Sequence, residues 1–221
     1  MRVPGYLPLA VVTGLTIGLV GCGSNGSDDY PTPTIAVSTA AARPTVAPTP
    51  VVTGDRVNST AVGYEATIPS GWRLRPNILA STSFRGDAYF KPSPSPTPPP
   101  DTPQTNIAIG CEPITEPAED LQSEVDTRVQ VLNRLGRTNL VTADHAAVDG
   151  LESKQIDYTY VVKSDATEFA IDSREVFFLS EGCQWTVTLS APAGELDQDI
   201  PVLEQFLASV SVNAVNALDV S

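Results

Sequence analysis

The sequence predicts an α+β protein: an antiparallel β-sheet covered by helices, in an α/β/α sandwich. Three observations predict it. Runs with apolar residues on alternate positions recur through residues 64–111 and 140–189. Two segments, 117–136 and 199–210, carry the 3.6-residue apolar repeat of a helix. The strands come in runs with single helices between and after them, a pattern that suits an antiparallel sheet better than a parallel one.

The elements follow in order. Tyr64, Ala66 and Ile68 alternate with Glu65 and Thr67, giving a strand that stops at Pro69-Ser70-Gly71, with Trp72 placed to fold back on the core. Phe84 to Phe90 and Thr105 to Cys111 are two further strands. Between them runs Lys91 to Gln104, rich in proline. Proline removes ladder donors and is excluded from central strands, so 91–104 is an exposed loop. It is most simply a tolerated insertion, the alternatives being a polyproline-type ligand or an O-glycosylated segment. Leu121, Val125, Val129, Leu132 and Leu135 line one stripe of a helix from Pro117 to Gly136. Pro117, Glu119 and Asp120 suit its first turn, Arg134 its last, and Gly136 its stop. Strands follow over Leu140–Val148, Glu152–Val162, Phe169–Leu179 and Cys183–Leu189, with a tight hairpin at Ser180-Glu181-Gly182. The final helix, Asp199 to Val210, buries Ile200, Leu203, Phe206, Leu207 and Val210, with Asp199 as its N-cap and Pro201 in its first turn. Residues 213–221 read as a flexible tail.

Ahead of the domain, residues 1–22 have the layout of an export signal: Arg2, then an apolar stretch from Leu7 to Val20, then Gly21-Cys22. The stretch covers roughly 14 residues, short of the about 20 needed to span a bilayer. The order Leu19-Val20-Gly21-Cys22 resembles a bacterial lipobox. That resemblance implies removal of residues 1–21, a diacylglyceryl thioether on Cys22, an acylated amine of the palmitate type, and a lipid-anchored protein on the extracytoplasmic face of the cell membrane. Two or three acyl chains, at about 0.8 kcal/mol per buried CH₂, hold a protein stably where one does not. Plain secretion with a free Cys22 is the alternative. Residues 22–57 then form a spacer. Its Pro/Thr/Ser-rich composition cannot bury enough apolar surface to offset the entropy of ordering it. Such a spacer reaches between about 30 Å as a coil and about 110 Å fully extended. The folded domain is expected over 58–212.

The chain holds 3 cysteines. With Cys22 lipidated, Cys111 and Cys183 remain as a pair in an exported chain, where a disulfide is permitted. Cys111 ends the alternation Ile107-Ala108-Ile109-Gly110, and Cys183 lies on the Trp185/Val187/Leu189 face, so both point inward from strands. The alternative is two separate buried thiols. Two cysteines and one histidine show no zinc spacing, so no metal and no cofactor is expected.

The formal net charge of the 221-residue chain is −13. Arg2 is the one basic residue before Cys22 and every acidic residue follows it, so the mature chain is more acidic still. Phosphate binding needs a basic surface, so nucleic acid is excluded as a partner. Acidity also disfavours flat contact with anionic headgroups, which places the domain away from the bilayer.

The strand running into Pro69-Ser70-Gly71-Trp72, the closing strand–loop–helix from Trp185 to Val210, and the element order resemble the PsbP-like domains of the Mog/PsbP superfamily. The resemblance covers about residues 60–212 and implies the fold. It implies no site residues, because nothing here matches functional residues of that family one by one, and the proline insertion departs from it.

Tests for chemistry come out negative. His145 is the only histidine and reads as a surface or edge residue, with Asp144 pointing to the opposite face of its strand. No Gly-x-Ser-x-Gly elbow, phosphate loop or His-Glu-x-x-His run occurs. Glu195, Asp197 and Asp199 alternate, but a calcium loop would need glycine where Ile200 stands and glutamate where Phe206 stands. They read as acids at a helix start, as do Glu116, Glu119 and Asp120. Asn58-Ser59-Thr60 is a formal glycosylation sequon. The expectation is therefore a non-enzymatic, monomeric domain that binds an envelope protein partner. The second reading is a small-ligand or cation site in a pocket beside the sheet.

Overall fold

The computed structural model describes residues 49–77, 85–93, 102–114, 120–164, 167–180 and 182–212. Cys22, the signal, most of the spacer, residues 94–101 of the proline-rich run, Glu116, Glu119 and the tail from 213 lie outside the described residues.

Among the described residues eleven strands and two helices follow one another. The first six strands are β1 (Val51–Thr53), β2 (Arg56–Ser59), β3 (Tyr64–Thr67), β4 (Arg73–Arg75), β5 (Arg85–Phe90) and β6 (Asn106–Pro113). After α1 (Leu121–Arg134) come β7 (Thr138–Val148), β8 (Leu151–Ser164), β9 (Thr167–Ser180) and β10 (Cys183–Pro192), then α2 (Leu196–Ser209) and β11 (Ser211–Val212). The class is α+β. A seven-stranded sheet has the order β4-β5-β6-β10-β9-β8-β7, with every described pair antiparallel. A second sheet of four strands, β1-β2-β3-β11, was not expected.

Two cores lie on the two faces of the large sheet. On one face Cys183, Trp185, Val187 and Leu189 of β10 meet Ile107, Ile109 and Cys111 of β6, Val176 and Phe178 of β9, and Leu203, Phe206 and Leu207 of α2. Tyr64 and Ala66 of β3 and Val57 of β2 close this core from the small sheet. This cover is therefore a helix and a second sheet together, not a helix alone. The expected strand at Tyr64 forms, but it pairs with β2 and β11 instead of joining the large sheet. On the opposite face Leu121, Val125 and Leu132 of α1 pack on Ile156, Tyr158 and Phe177. Leu135 falls at the helix C-cap and is 49% exposed, so it leaves the expected stripe.

Local sequence explains most boundaries. The Asp120 carboxylate accepts from the Ser123 amide at 2.7 Å and caps α1. Gly136, at φ 72, ends it: its amide donates to the Asn133 carbonyl and the Arg137 amide to the Leu132 carbonyl, both at 3.0 Å. Trp72 donates its amide to the Pro69 carbonyl at 2.9 Å and packs on the core, as the Pro-Ser-Gly-Trp turn implies. Ser180 pairs with Cys183, which makes the last connection a two-residue hairpin.

Three boundaries differ. α1 starts at Leu121, not at Pro117: Asp120, with extended backbone, is its N-cap and not a first-turn residue. The folded part starts before residue 58, because β1 and part of β2 form from residues read as spacer. Only Val57 and Ser59 of these strands point inward, too few positions to stand out by alternation. α2 starts at Leu196, not at Asp199, and its N-cap is Glu195 without a side-chain cap bond. Leu196 packs on the core and holds the extra turn. Asp199 is thus inside the helix, buried, and both its oxygens accept from Lys91 Nζ at 2.8 Å.

Candidate functional site

Along β8 and β9 the α2-facing side changes character. Near the disulfide it is Phe178 and Val176; further along it becomes Arg174 and Asp172, which stand opposite Asp157 and Thr159. The change comes where the start of α2 ends its cover of these strands. A cleft of about 210 Å³ opens there, lined by Asn139, Asp157, Thr159, Asp172, Gly194 and Asp197 among others. Arg174 holds Asp157 with a two-pronged contact, Nε to Oδ1 at 2.8 Å and Nη2 to Oδ2 at 2.7 Å. That bond keeps the guanidinium above its ordinary pKa. Asp172 accepts from Thr159 Oγ1 and from the Gly194 amide, both at 2.8 Å. Asn139 Nδ2 donates to Thr159 Oγ1 at 3.3 Å. Asp197 stands exposed in the first turn of α2. The Thr159 hydroxyl in the cleft and the Arg174 guanidinium beside it are engaged by carboxylates. The cleft therefore offers fixed carboxylates for recognition and no activated nucleophile.

His145 invites a different test. It lies on the edge strand, as expected, yet its side chain is only 6% exposed and is no surface residue. Nε2 is 3.2 Å from Glu204 Oε1 on α2, and Nδ1 is 3.1 Å from Ser153 Oγ. The trio has the residue types of a hydrolytic triad. Its connectivity is wrong for one: Ser153 Oγ donates to the Ala146 carbonyl at 2.6 Å, and the Ser153 residue is 2% exposed. A nucleophilic serine must be open to substrate and pass its proton to histidine. The trio instead ties β7 and β8 to α2.

Besides Asp199, two more acids are buried. Asp87 accepts from Ser59 Oγ at 2.6 Å, Tyr64 OH at 2.9 Å and the Asn77 amide at 2.8 Å. The Tyr64 and Tyr89 hydroxyls lie 2.7 Å apart, and burial pushes both phenols well above their ordinary pKa. Ser59 of the formal sequon is thus a buried structural donor, and Asn58 bonds Glu65 at 2.8 Å. On the α1 face Glu175 is fully enclosed. Arg128 Nη2 approaches it at 2.8 Å and Tyr158 OH donates to it at 3.0 Å. Burial raises the Glu175 carboxyl above the usual carboxylate range despite Arg128.

Cys111 and Cys183 form a disulfide with Cα atoms 5.8 Å apart. Cys183 stands opposite Pro113 and Cys111 opposite Trp185, so the two sulfurs meet diagonally across neighbouring strands on one face. Cys22 lies outside the described residues. Glu195, Asp197 and Asp199 are not brought together: Asp199 turns to Lys91, while Asp197 faces the cleft. Among the described residues no group of three or more histidine, cysteine or acidic side chains is placed to hold a metal ion. No described helix is long and apolar enough to cross a membrane.

The cleft residues were not singled out by sequence. On β8 the apolar set Ile156, Tyr158 and Tyr160 marks the buried face, so Asp157 and Thr159 read as solvent-facing. They do face outward from α1, but α2 folds over the same side. The available signal was the charge complement of Asp157 and Arg174, and sequence alone does not pair their strands.

No family model matches the chain, and no curated protein matches it. Solved structures similar to it include a cyanobacterial PsbP (CyanoP) from Synechocystis sp. PCC 6803, at 18% identity and TM-score 0.42, covering 68% of this chain and 86% of that one. LpqN, involved in cell envelope biogenesis of Mycobacterium tuberculosis, is similar at 18% identity and TM-score 0.40 over 75% of this chain and 90% of that one. A protein from Bacteroides thetaiotaomicron is similar at 10% identity and TM-score 0.41 over 70% of this chain, which spans 46% of that protein. The α+β class rests on the sheet order and the two helices of the chain itself.

Proposed function

We propose that this protein is a lipid-anchored, extracytoplasmic, non-catalytic domain that docks a protein partner at the side of β7, β8 and β9 left open beyond α2. The observation that carries the docking reading is the size and setting of the cleft. At about 210 Å³ it is smaller than the roughly 300–1,000 Å³ of small-molecule sites. It opens beside Val141 and Val161, 60% and 51% exposed, at the rim of the sheet. A site that small suits one side chain of a larger partner better than a free ligand. The engaged polar groups of the cleft and the enclosed Ser153 favour binding over catalysis. The anchor reading is supported by Leu19-Val20-Gly21-Cys22 and by the acidic, proline-rich layout that follows.

The test is a photoreactive residue at position 141 in the full chain, expressed in its native membranes. One adduct that depends on position 141 and is missing from a matched probe at exposed Arg134 is expected. Adducts of equal yield at both positions, or none at 141, overturn the reading.

A further inference from the structure

His145 is the chain's only histidine, and both of its ring nitrogens face acceptors. Nδ1 lies 2.8 Å from the Ala146 carbonyl and 3.1 Å from Ser153 Oγ. A carbonyl can only accept, and the Ser153 hydroxyl already donates its hydrogen to that same carbonyl at 2.6 Å. Nδ1 therefore carries a hydrogen. Across the ring Nε2 is 3.2 Å from Glu204 Oε1, and an ionised carboxylate also only accepts. A neutral imidazole has one N–H and one lone pair, so it serves one of these sides and opposes the other. The imidazolium, with two N–H donors, serves both.

The two sides are unequal. Ser153 stands opposite His145 in the β7–β8 pairing and is 2% exposed, so the Nδ1 side is fixed by the sheet. The Glu204 side chain on α2 is 43% exposed and can turn to water. Loss of one proton thus leaves Nδ1–H in place and sets the Nε2 lone pair against the carboxylate, so the contact that opens is the one to α2. The other charges nearby are engaged. Arg174 of β9 lies in the field of Glu204, but its guanidinium is held by Asp157 of β8. Asp149, in the β7–β8 turn, accepts from the Val212 amide and the Ser211 hydroxyl of β11. Asp144 and Lys154 pair with each other on the opposite side of the sheet. Among the described residues Glu204 is the charged group within hydrogen-bond distance of the ring.

We propose that His145 is a proton-dependent latch: charged, it clasps α2 to the β7–β8 edge through Glu204, and neutral, it keeps Nδ1–H on Ala146 and releases Glu204. While Glu204 is ionised the tie is present on the acid side and is lost as pH rises through about 5 to 8, where histidine ordinarily changes charge. α2 covers one core with Leu203, Phe206 and Leu207, and its first turn forms a wall of the cleft through Leu196 and Asp197. The latch therefore sets how firmly that wall is held. It stands on the ring geometry and is independent of the docking reading.

With one histidine in the chain, ring-nitrogen spectra of the isotope-labelled full chain report on His145 alone. At about pH 5.5 both ring nitrogens should carry hydrogen, and at about pH 8 Nδ1 only. Over the same step the amides of Leu203–Leu207 should lose roughly fivefold in hydrogen-exchange protection relative to Glu204→Gln. The glutamine, at a half-exposed position, meets either state of Nε2 because its amide both donates and accepts, so its protection should not follow the histidine. The titration of Glu175 is common to both proteins and cancels in the comparison. A neutral ring with its hydrogen on Nε2, unchanged ring protonation between the two pH values, no loss of protection in the parent, or an equal loss in Glu204→Gln overturns the latch.

Discussion

Glu175 shows how one residue couples the sequence to the interior. It sits among Ile171, Ser173 and Phe177 on the inward positions of β9, where a charge is costly unless paired. Its partner Arg128 comes from α1 next to Val129 on the buried stripe. Arg128 is 36% exposed and Glu175 1%, so removing the arginine strands an enclosed acid; Arg128→Ala should cost roughly 3 kcal/mol in urea unfolding. The raised Glu175 carboxyl has a defined pH signature. Between its unfolded and folded pKa the native state binds more protons, so its contribution is full below the unfolded value and is lost as pH rises through the folded one. The melting temperature of the parent protein relative to Glu175→Gln should therefore fall on going from acid toward neutral pH. A parallel pair of pH curves would refute it. The sequence reading singled out neither Glu175 nor Arg128, because the two are 47 positions apart and only the packing of α1 on β9 brings them together.

At the scale of elements, the stop of α1 at Gly136 was readable because capping is local chemistry, whereas its start was placed at Pro117, ahead of the Asp120 cap. Asp120→Ala removes one bonded carboxylate and should cost about 1 kcal/mol. Gly136→Ala forces a side chain into φ 72 and should cost about 1 kcal/mol, although open space surrounds the position. Urea midpoints with an unchanged m-value measure both, and no shift in either would sink the capping account. The start of α2 was misplaced for a physical reason. Asp199 and Pro201 form a plausible local start, but Leu196 finds the core and Lys91, 108 residues away, claims Asp199. β1 and β2 were missed because most of their residues face solvent, and a three-residue edge strand has no pattern of its own.

At the scale of the whole molecule, the disulfide joins β6 to β10 across 72 residues. Closing a loop of that length stabilises by about 4 kcal/mol in the chain-entropy picture. Replacing Cys111 and Cys183 together with Ala should lower the melting temperature by roughly 10 °C. An unchanged melting temperature would show that the bond is dispensable. The anchor has its own test: Cys22→Ala should move the protein from the membrane fraction to the soluble one, and continued retention would refute lipidation. The expected sheet covered by helices is realised with one amendment, since α2 shares its face with a small sheet built around β3.

By itself the sequence determined the features set by near neighbours: the α+β class, the alternation of apolar faces, the glycine stop of α1, the last hairpin and the inward direction of both cysteines. Each follows from backbone period or turn chemistry within a few residues. The tertiary structure decided what depends on distant partners: the split into two sheets, the burial of Asp87, Glu175 and His145, and the place of Asp199. It also decided the cleft, where Asp157, Asp172 and Asp197 share one recess only because β8, β9 and α2 meet there. Long-range pairing has no local sequence code, so the cleft became visible only once the strands were placed side by side.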